Sequence, residues 1–156
     1  MVQLPDFIDP ETGVWNHHWV YDRANAEWNR SDRYDHTAAV IELEVDEPQS
    51  SEAVKAVAAV LRDRLRAYDL IGRKGPTTFS ILACEIEPRS ARRICERIKA
   101  GLVDQSAGGH QIGVAMGAVA TDAERVEVVE DLFDVAWEAC SRAQRGEGED
   151  GILVLD

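Results

Sequence analysis

Two carboxylates, Glu42 and Glu44, stand two residues apart in an alternating segment and are the first candidates for chemistry. In a β-strand, residues two apart point to the same face, so the two side chains would stand together. Carboxylates are the ligands that hard cations such as Mg²⁺ accept. Alternating acids more often form the solvated face of a sheet. We favour that interpretation and keep Glu42 and Glu44 only as weak metal candidates.

The cysteines and histidines show no metal-binding or disulfide pattern. The three cysteines are odd in number and lack a C-x-x-C spacing, so we expect reduced core thiols. The adjacent His17 and His18 would point about 100° apart on a helix, unlike an i, i+4 metal pair. We therefore expect neither a metal nor a cofactor.

Size and charge restrict the class of protein. The chain has 156 residues and a net charge of −12, so we expect one domain over residues 1–156 that binds neither nucleic acid nor a membrane surface. No apolar run approaches the roughly 20 residues of a membrane span. The first residues lack the basic start and apolar stretch of a signal peptide. A cytoplasmic location is the resulting expectation.

Hydrophobic periodicity predicts the elements that position these residues. Steps of three and four predict helices near residues 15–30, 54–68, 88–101 and 122–143, with Asp122 as the cap of the last. Alternating or β-branched segments predict strands near 37–45, 69–73, 77–84, 110–120 and 152–155. The order α-β-α-β-β-α-β-α-β predicts an α+β fold with helices flanking a central, mostly antiparallel five-stranded sheet.

Short segments along nearly the whole chain resemble the GGDEF domain family. Residues 9–17 (DPETGVWNH) are similar to its D-x-L-T-G-L-x-N-R motif, and residues 65–69 (LRAYD) to its L-R-x-x-D. Residues 73–79 (RKGPTTF) lie where the family has the hairpin tip R-x-G-G-D/E-E-F. Residues 112–118 (IGVAMGA) and 132–139 (LFDVAWEA) resemble its late strand and helix. The resemblance implies the palm-like fold that this family shares with nucleotide cyclases.

The resemblance also implies an activity whose residues are altered here. Diguanylate cyclases join two GTP molecules, using divalent metals held by carboxylates. The hairpin tip of this chain consists instead of Gly75, Pro76, Thr77, Thr78 and Phe79. Hydroxyls replace the carboxylates, and a proline without an N–H replaces a glycine. The family's guanine-reading segment has no counterpart either. We therefore predict a degenerate, inactive domain that is not an enzyme.

The chain does contain the residue types of a second site of this family. Many members bind cyclic di-GMP at an R-x-x-D site, and Arg66 and Asp69 occupy these positions. The resemblance implies a candidate site of Arg66, Asp69 and nearby Arg73, because guanidinium groups bind phosphate bidentately. The alternative is plain helix-end chemistry, a cation at a helix C-terminus followed by an acid.

We therefore expect a regulatory signalling module that binds cyclic di-GMP. Two alternatives stay open: a ligand-free protein-interaction or dimerisation module, and GTP binding without turnover. Exposed tryptophans would favour a protein partner or a homodimer, whereas buried ones would belong to the core. The tryptophans are Trp15, Trp19, Trp28 and Trp137.

Overall fold

The structure is a computed structural model that describes residues 7–30, 37–84, 90–122 and 129–155. Its helices are α1 (His17–Arg30), α2 (Ser51–Arg64), α3 (Ala91–Leu102) and α4 (Val129–Gln144). Its strands are β1 (Trp15–Asn16), β2 (Thr37–Glu47), β3 (Leu70–Gly75), β4 (Thr78–Cys84), β5 (Ser106–Ala107), β6 (His110–Gln111), β7 (Gly113–Asp122) and β8 (Ile152–Leu155). Among these described helices, none combines the length and apolar character needed to cross a membrane.

Six strands form one sheet in the order β1-β3-β4-β2-β7-β8, and β5 pairs with β6 in a separate hairpin. The three inner pairings are antiparallel, whereas the edge pairings β1·β3 and β7·β8 are parallel. The predicted α+β fold with a mostly antiparallel sheet is confirmed. The sheet has six strands rather than five, because the two residues of β1 are too few to show a period of two.

The central strand β2 separates two apolar cores by its alternation. Ala39, Ile41 and Leu43 belong to the core that also contains residues of α2 and α3. Ala38 and Val40 belong to the opposite core, with residues of α1 and α4. Because side chains alternate across a strand, Glu42 and Glu44 share the face of Val40, toward α1 and α4.

Two glycines let the helices approach their neighbours closely. A Cβ on Gly117 of β7 would lie 2.0 Å from the backbone nitrogen of Cys140 in α4. A Cβ on Gly101 of α3 would lie 2.7 Å from Cγ1 of Val60 in α2. Real Cβ contacts are longer than this, so only glycine permits these distances. Helix α2 itself begins at a capped end, where the Ser50 hydroxyl accepts the Ala53 N–H at 3.1 Å.

Several element boundaries differ from the predictions, among them the end of α2, which lies at Arg64 and not near residue 68. Trp15 lies in β1 and not in the first helix, because it pairs with Gly72. The Asn16 side chain accepts the Trp19 N–H at 2.9 Å and caps α1, which begins at His17. Asp122 is the last residue of β7, and the residues between it and α4 lie outside the described ranges. The predicted strand at 110–120 is divided between β6 and β7. The predicted helix start at Pro88 or Arg89 lies outside the described residues.

Candidate functional site

Glu42 is completely buried at the centre of the sheet. Its relative exposure is 0%, so the prediction that it belongs to a solvated face is wrong. The physical reason is that β2 has neighbours on both edges, while α1 and α4 cover this face. Burial is tolerated because both carboxylate oxygens have partners. The Ser80 hydroxyl donates to Oε2 at 2.6 Å, and the Lys74 ammonium lies 3.4 Å from Oε1.

Burial raises the pKa of Glu42 and of Tyr21, and the charge of Glu42 adds to the pKa shift of Tyr21. Burial, opposed by the Ser80 hydrogen bond and by Lys74, raises the pKa of Glu42 from 4.5 to about 7. Burial, with the nearby Glu42 charge, raises the pKa of Tyr21 to about 12. The Lys74 ammonium also lies 4.2 Å from the ring centroid of Trp137, a cation–π contact with α4. Lys74 therefore joins the hairpin tip to both β2 and α4.

The threonines of the hairpin tip hold the second carboxylate of β2. The Thr77 hydroxyl donates to Glu44 Oε1 at 2.6 Å, and the Thr78 hydroxyl donates to Oε2. All four carboxylate oxygens of Glu42 and Glu44 therefore have partners from the protein. Within the described ranges, no group of three or more His, Cys, Asp or Glu side chains is placed to hold a metal ion. The described side chains thus do not form a multi-carboxylate cage.

Arg73 joins the N-terminal turn to the hairpin tip. Its guanidinium lies 3.0 Å from Asp9 and 2.7 Å from Glu11, and it donates to the carbonyls of Gly75 and Pro76 at 3.1 and 2.7 Å. Although burial alone raises the pKa of Asp9, hydrogen bonds from Thr12 and Arg73 lower it below 3.8. Arg73 does not line the pocket that contains Arg66 and Asp69, so its predicted place in that site stays a prediction. The nearby acids and carbonyls attract its guanidinium.

Arg66 and Asp69 do come together, at a pocket of about 170 Å³ between the N-terminal turn and the end of α2. The Asp69 side chain is only 1% exposed. It accepts the backbone N–H of Arg66 at 2.9 Å and lies 3.5 Å from the Arg66 Nε. The Arg66 guanidinium also lies 4.5 Å from the ring centroid of Tyr68, which is 53% exposed. Asp69 therefore stabilises the turn that carries the side chains of Arg66 and Tyr68.

Sequence reasoning missed two contributors to this pocket. Arg62 and Gly13 both line it, together with Trp15. The helix predicted near residues 54–68 placed Arg62 and Arg66 four residues apart, and such residues share a face, so an available signal existed. In the structure α2 ends at Arg64, and Arg66 follows the helix. Gly13 carried no comparable signal, since its contact with Arg62 joins segments far apart in the chain.

The tryptophans whose side chains are described pack partly into the protein. Trp15 stacks on Trp19 with ring centroids 4.0 Å apart, and both pack against the core of α1 and α4. Trp137 packs against Cys140 and Ala143. The Trp28 side chain lies outside the described residues. Cys95 and Cys140 are free and buried, which confirms the expectation of core thiols for these two.

Known proteins resemble this chain in sequence. A family model described as "Diguanylate cyclase, GGDEF domain" matches residues 6–150. The diguanylate cyclase DgcP of Pseudomonas aeruginosa is 27% identical over 158 residues, covering 94% of this chain and 23% of DgcP. The chain thus spans about a quarter of this relative's length. That residues 1–156 form one domain stays a prediction.

Solved structures share the fold. The diguanylate cyclase SiaD, in complex with its activator SiaC from Pseudomonas aeruginosa, gives a TM-score of 0.82 at 23% identity, covering 96% of this chain and 62% of SiaD. The GGDEF domain of DgcB from Caulobacter crescentus, in complex with c-di-GMP, gives a TM-score of 0.78 at 17% identity, covering 99% of this chain and 98% of the DgcB domain. The predicted resemblance and the palm-like fold are confirmed.

The same matches contradict the prediction that this chain is not an enzyme. Both the family model and the curated relative are named as diguanylate cyclases. The prediction rested on the residue types at Pro76, Thr77 and Thr78 and on the missing guanine-reading segment. These residues lie in a formed hairpin tip whose hydroxyls contact Glu44. Their identity alone is insufficient ground for excluding activity.

Proposed function

Because the chain belongs to the diguanylate cyclase GGDEF domain family, we propose that it binds cyclic di-GMP at the pocket of Arg66 and Asp69 and acts as a signalling module. The main support for the proposal is that the pocket is cationic although the chain as a whole is strongly acidic. The net charge is −12, yet Arg62 and Arg66 line this pocket with Asp69 as its single acid. Guanidinium groups there suit a phosphodiester, which they bind with two parallel hydrogen bonds.

The geometry indicates how such a ligand would lie. The pocket of about 170 Å³ is smaller than the roughly 300–1,000 Å³ of common ligand pockets. A dinucleotide would therefore place a phosphate inside and extend outward along the Arg66 side. There the Tyr68 ring is 53% exposed and offers a face on which a guanine can stack.

Asp69 has a positioning role in this proposal. Its buried carboxylate accepts the Arg66 N–H at 2.9 Å, so it holds the turn that presents the guanidinium. Replacing Asp69 by asparagine would keep the acceptor oxygen but remove the charge beside Arg66. The crystallised complex of the DgcB domain contains c-di-GMP, which supports the choice of ligand.

Calorimetric titration with cyclic di-GMP tests the proposal. We expect saturable binding that is lost in Arg66→Gln and kept in Arg97→Gln, which removes the same charge from an exposed position on α3. Absence of saturable binding to the wild-type chain would overturn the proposal.

A parallel titration with GTP and Mg²⁺, followed by chromatography of the products, examines the hairpin face separately. GTP binding, or formation of cyclic di-GMP, that survives Arg66→Gln would show a second nucleotide site independent of the pocket, and the hairpin face of Glu44 and Thr77 would then be the first candidate for it. A protein partner or a homodimer stays a prediction, for which the SiaD complex with its activator is a parallel of fold only.

A further inference from the structure

The pocket contains a second arginine that the R-x-x-D pattern does not include. Arg62 lies in the last turn of α2 and Arg66 lies two residues beyond the end of that helix, and both line the same pocket. Because both line one pocket, the two cations face the same space. Two like charges brought to one pocket repel each other. An anion bound between them would remove that repulsion.

The Arg62 guanidinium is available for such an anion. Among the described residues it has no ion-pair partner, whereas Arg64, two residues along, lies 3.5 Å from Asp63. Arg62 is exposed, so its guanidinium can turn toward a ligand at the pocket without first breaking a buried contact.

Gly13 determines where the Arg62 guanidinium lies. A Cβ built on Gly13 would lie 2.7 Å from Nη1 of Arg62, so a side chain there would displace the guanidinium. Gly13 also has a φ of +77°, a conformation in which other residues are strained. The N-terminal turn therefore leaves room for Arg62 to lie along the pocket wall.

We propose that Arg62 is a second phosphate ligand of the pocket, positioned across Gly13, so that one phosphodiester is held between the guanidiniums of Arg62 and Arg66. This inference rests on the proposed function and adds a residue to its site. The pocket should therefore bind ligands that bring a phosphodiester and should not bind guanosine without phosphate.

The test measures cyclic di-GMP affinity in variants of one helix. We expect Arg62→Gln to weaken binding at least ten-fold and Arg62→Lys to weaken it less, because lysine keeps the charge but loses the planar donor pair. Arg64→Gln is the matched control, because it makes the same change two residues away, outside the pocket, and should stay within two-fold. Thermal unfolding of each variant verifies folding, and Arg62→Lys remains informative if Arg62→Gln does not fold.

Each outcome discriminates between the two proposals. Wild-type binding that Arg66→Gln abolishes and Arg62→Gln leaves within two-fold would overturn the role of Arg62 and keep the proposed function. Equal losses in Arg62→Gln and Arg64→Gln would also overturn it, since general charge would then explain both. No wild-type binding at all would overturn both proposals.

Discussion

Replacing the buried carboxylate, Glu42→Gln, should make the protein more stable than the wild type at alkaline pH but not at acidic pH. In the folded protein, burial raises the pKa of Glu42 from 4.5 to about 7. Between these two values the folded state binds more protons than the unfolded state. Stability must therefore fall as the pH rises through this window. Glutamine keeps the shape and an acceptor for Ser80 but cannot ionise.

The magnitude follows from the two pKa values. A rise from 4.5 to about 7, at 1.36 kcal/mol for each pH unit, corresponds to about 3 kcal/mol. Groups common to both proteins cancel in the difference. The free energy of unfolding of Glu42→Gln, minus that of the wild type, should thus increase by about 3 kcal/mol between pH 4 and pH 8.

Urea denaturation followed by tryptophan fluorescence at pH 4, 5, 6, 7 and 8 measures this difference. Glu138→Gln, at an exposed position of α4, corrects for the change in net charge. In the wild-type background, Lys74→Met should move the transition to higher pH, because it removes the cation 3.4 Å from Glu42. A difference that stays constant within about 1 kcal/mol over this range would refute the reasoning.

Three further predictions concern the helix contact, the N-terminal turn and the pocket mouth. Gly117→Ala should destabilise the fold by about 3 kcal/mol or more in the same urea titration, because its Cβ would lie 2.0 Å from the Cys140 nitrogen. Gly75→Ala is the control and should be tolerated, because its Cβ would make only an ordinary contact at 3.8 Å. Arg73→Gln leaves Asp9 without its cation and should lower the free energy of unfolding by about 1–3 kcal/mol at pH 7. This loss should become smaller as the pH falls through the lowered pKa of Asp9, because the protonated carboxyl no longer needs the cation. Tyr68→Leu should weaken cyclic di-GMP binding several-fold by calorimetry while Tyr68→Phe, which keeps the ring, should not; equal losses would argue against stacking.

Periodicity predicted the local elements because each pattern depends on neighbours in the chain. The apolar stripe of α2, including Val54, Val57 and Leu61, is buried as its spacing of three and four residues predicts. The alternation in β2 correctly placed Glu42 and Glu44 on one face. The hairpin of β3 and β4 is also present, with its turn near Pro76.

Boundaries set by pairing with distant segments were predicted less well. Trp15 has helical spacing with Trp19, but pairing with Gly72 draws it into β1. Asp122 has the chemistry of a helix cap, but its pairing with Thr37 extends β7 through it. Local propensity competes with such long-range pairing and loses where the sheet supplies a partner.

Local patterns in the sequence are sufficient to show which residues share a face, the order of the elements and the resemblance to the GGDEF family. Which of those faces are covered depends on how the folded elements pack. Alternation cannot show that α1 and α4 bury Glu42, that acids near the N-terminus pair with Arg73, or that Gly13 makes room for Arg62. Each depends on segments distant in the chain, and burial and charge pairing are properties of that assembled neighbourhood.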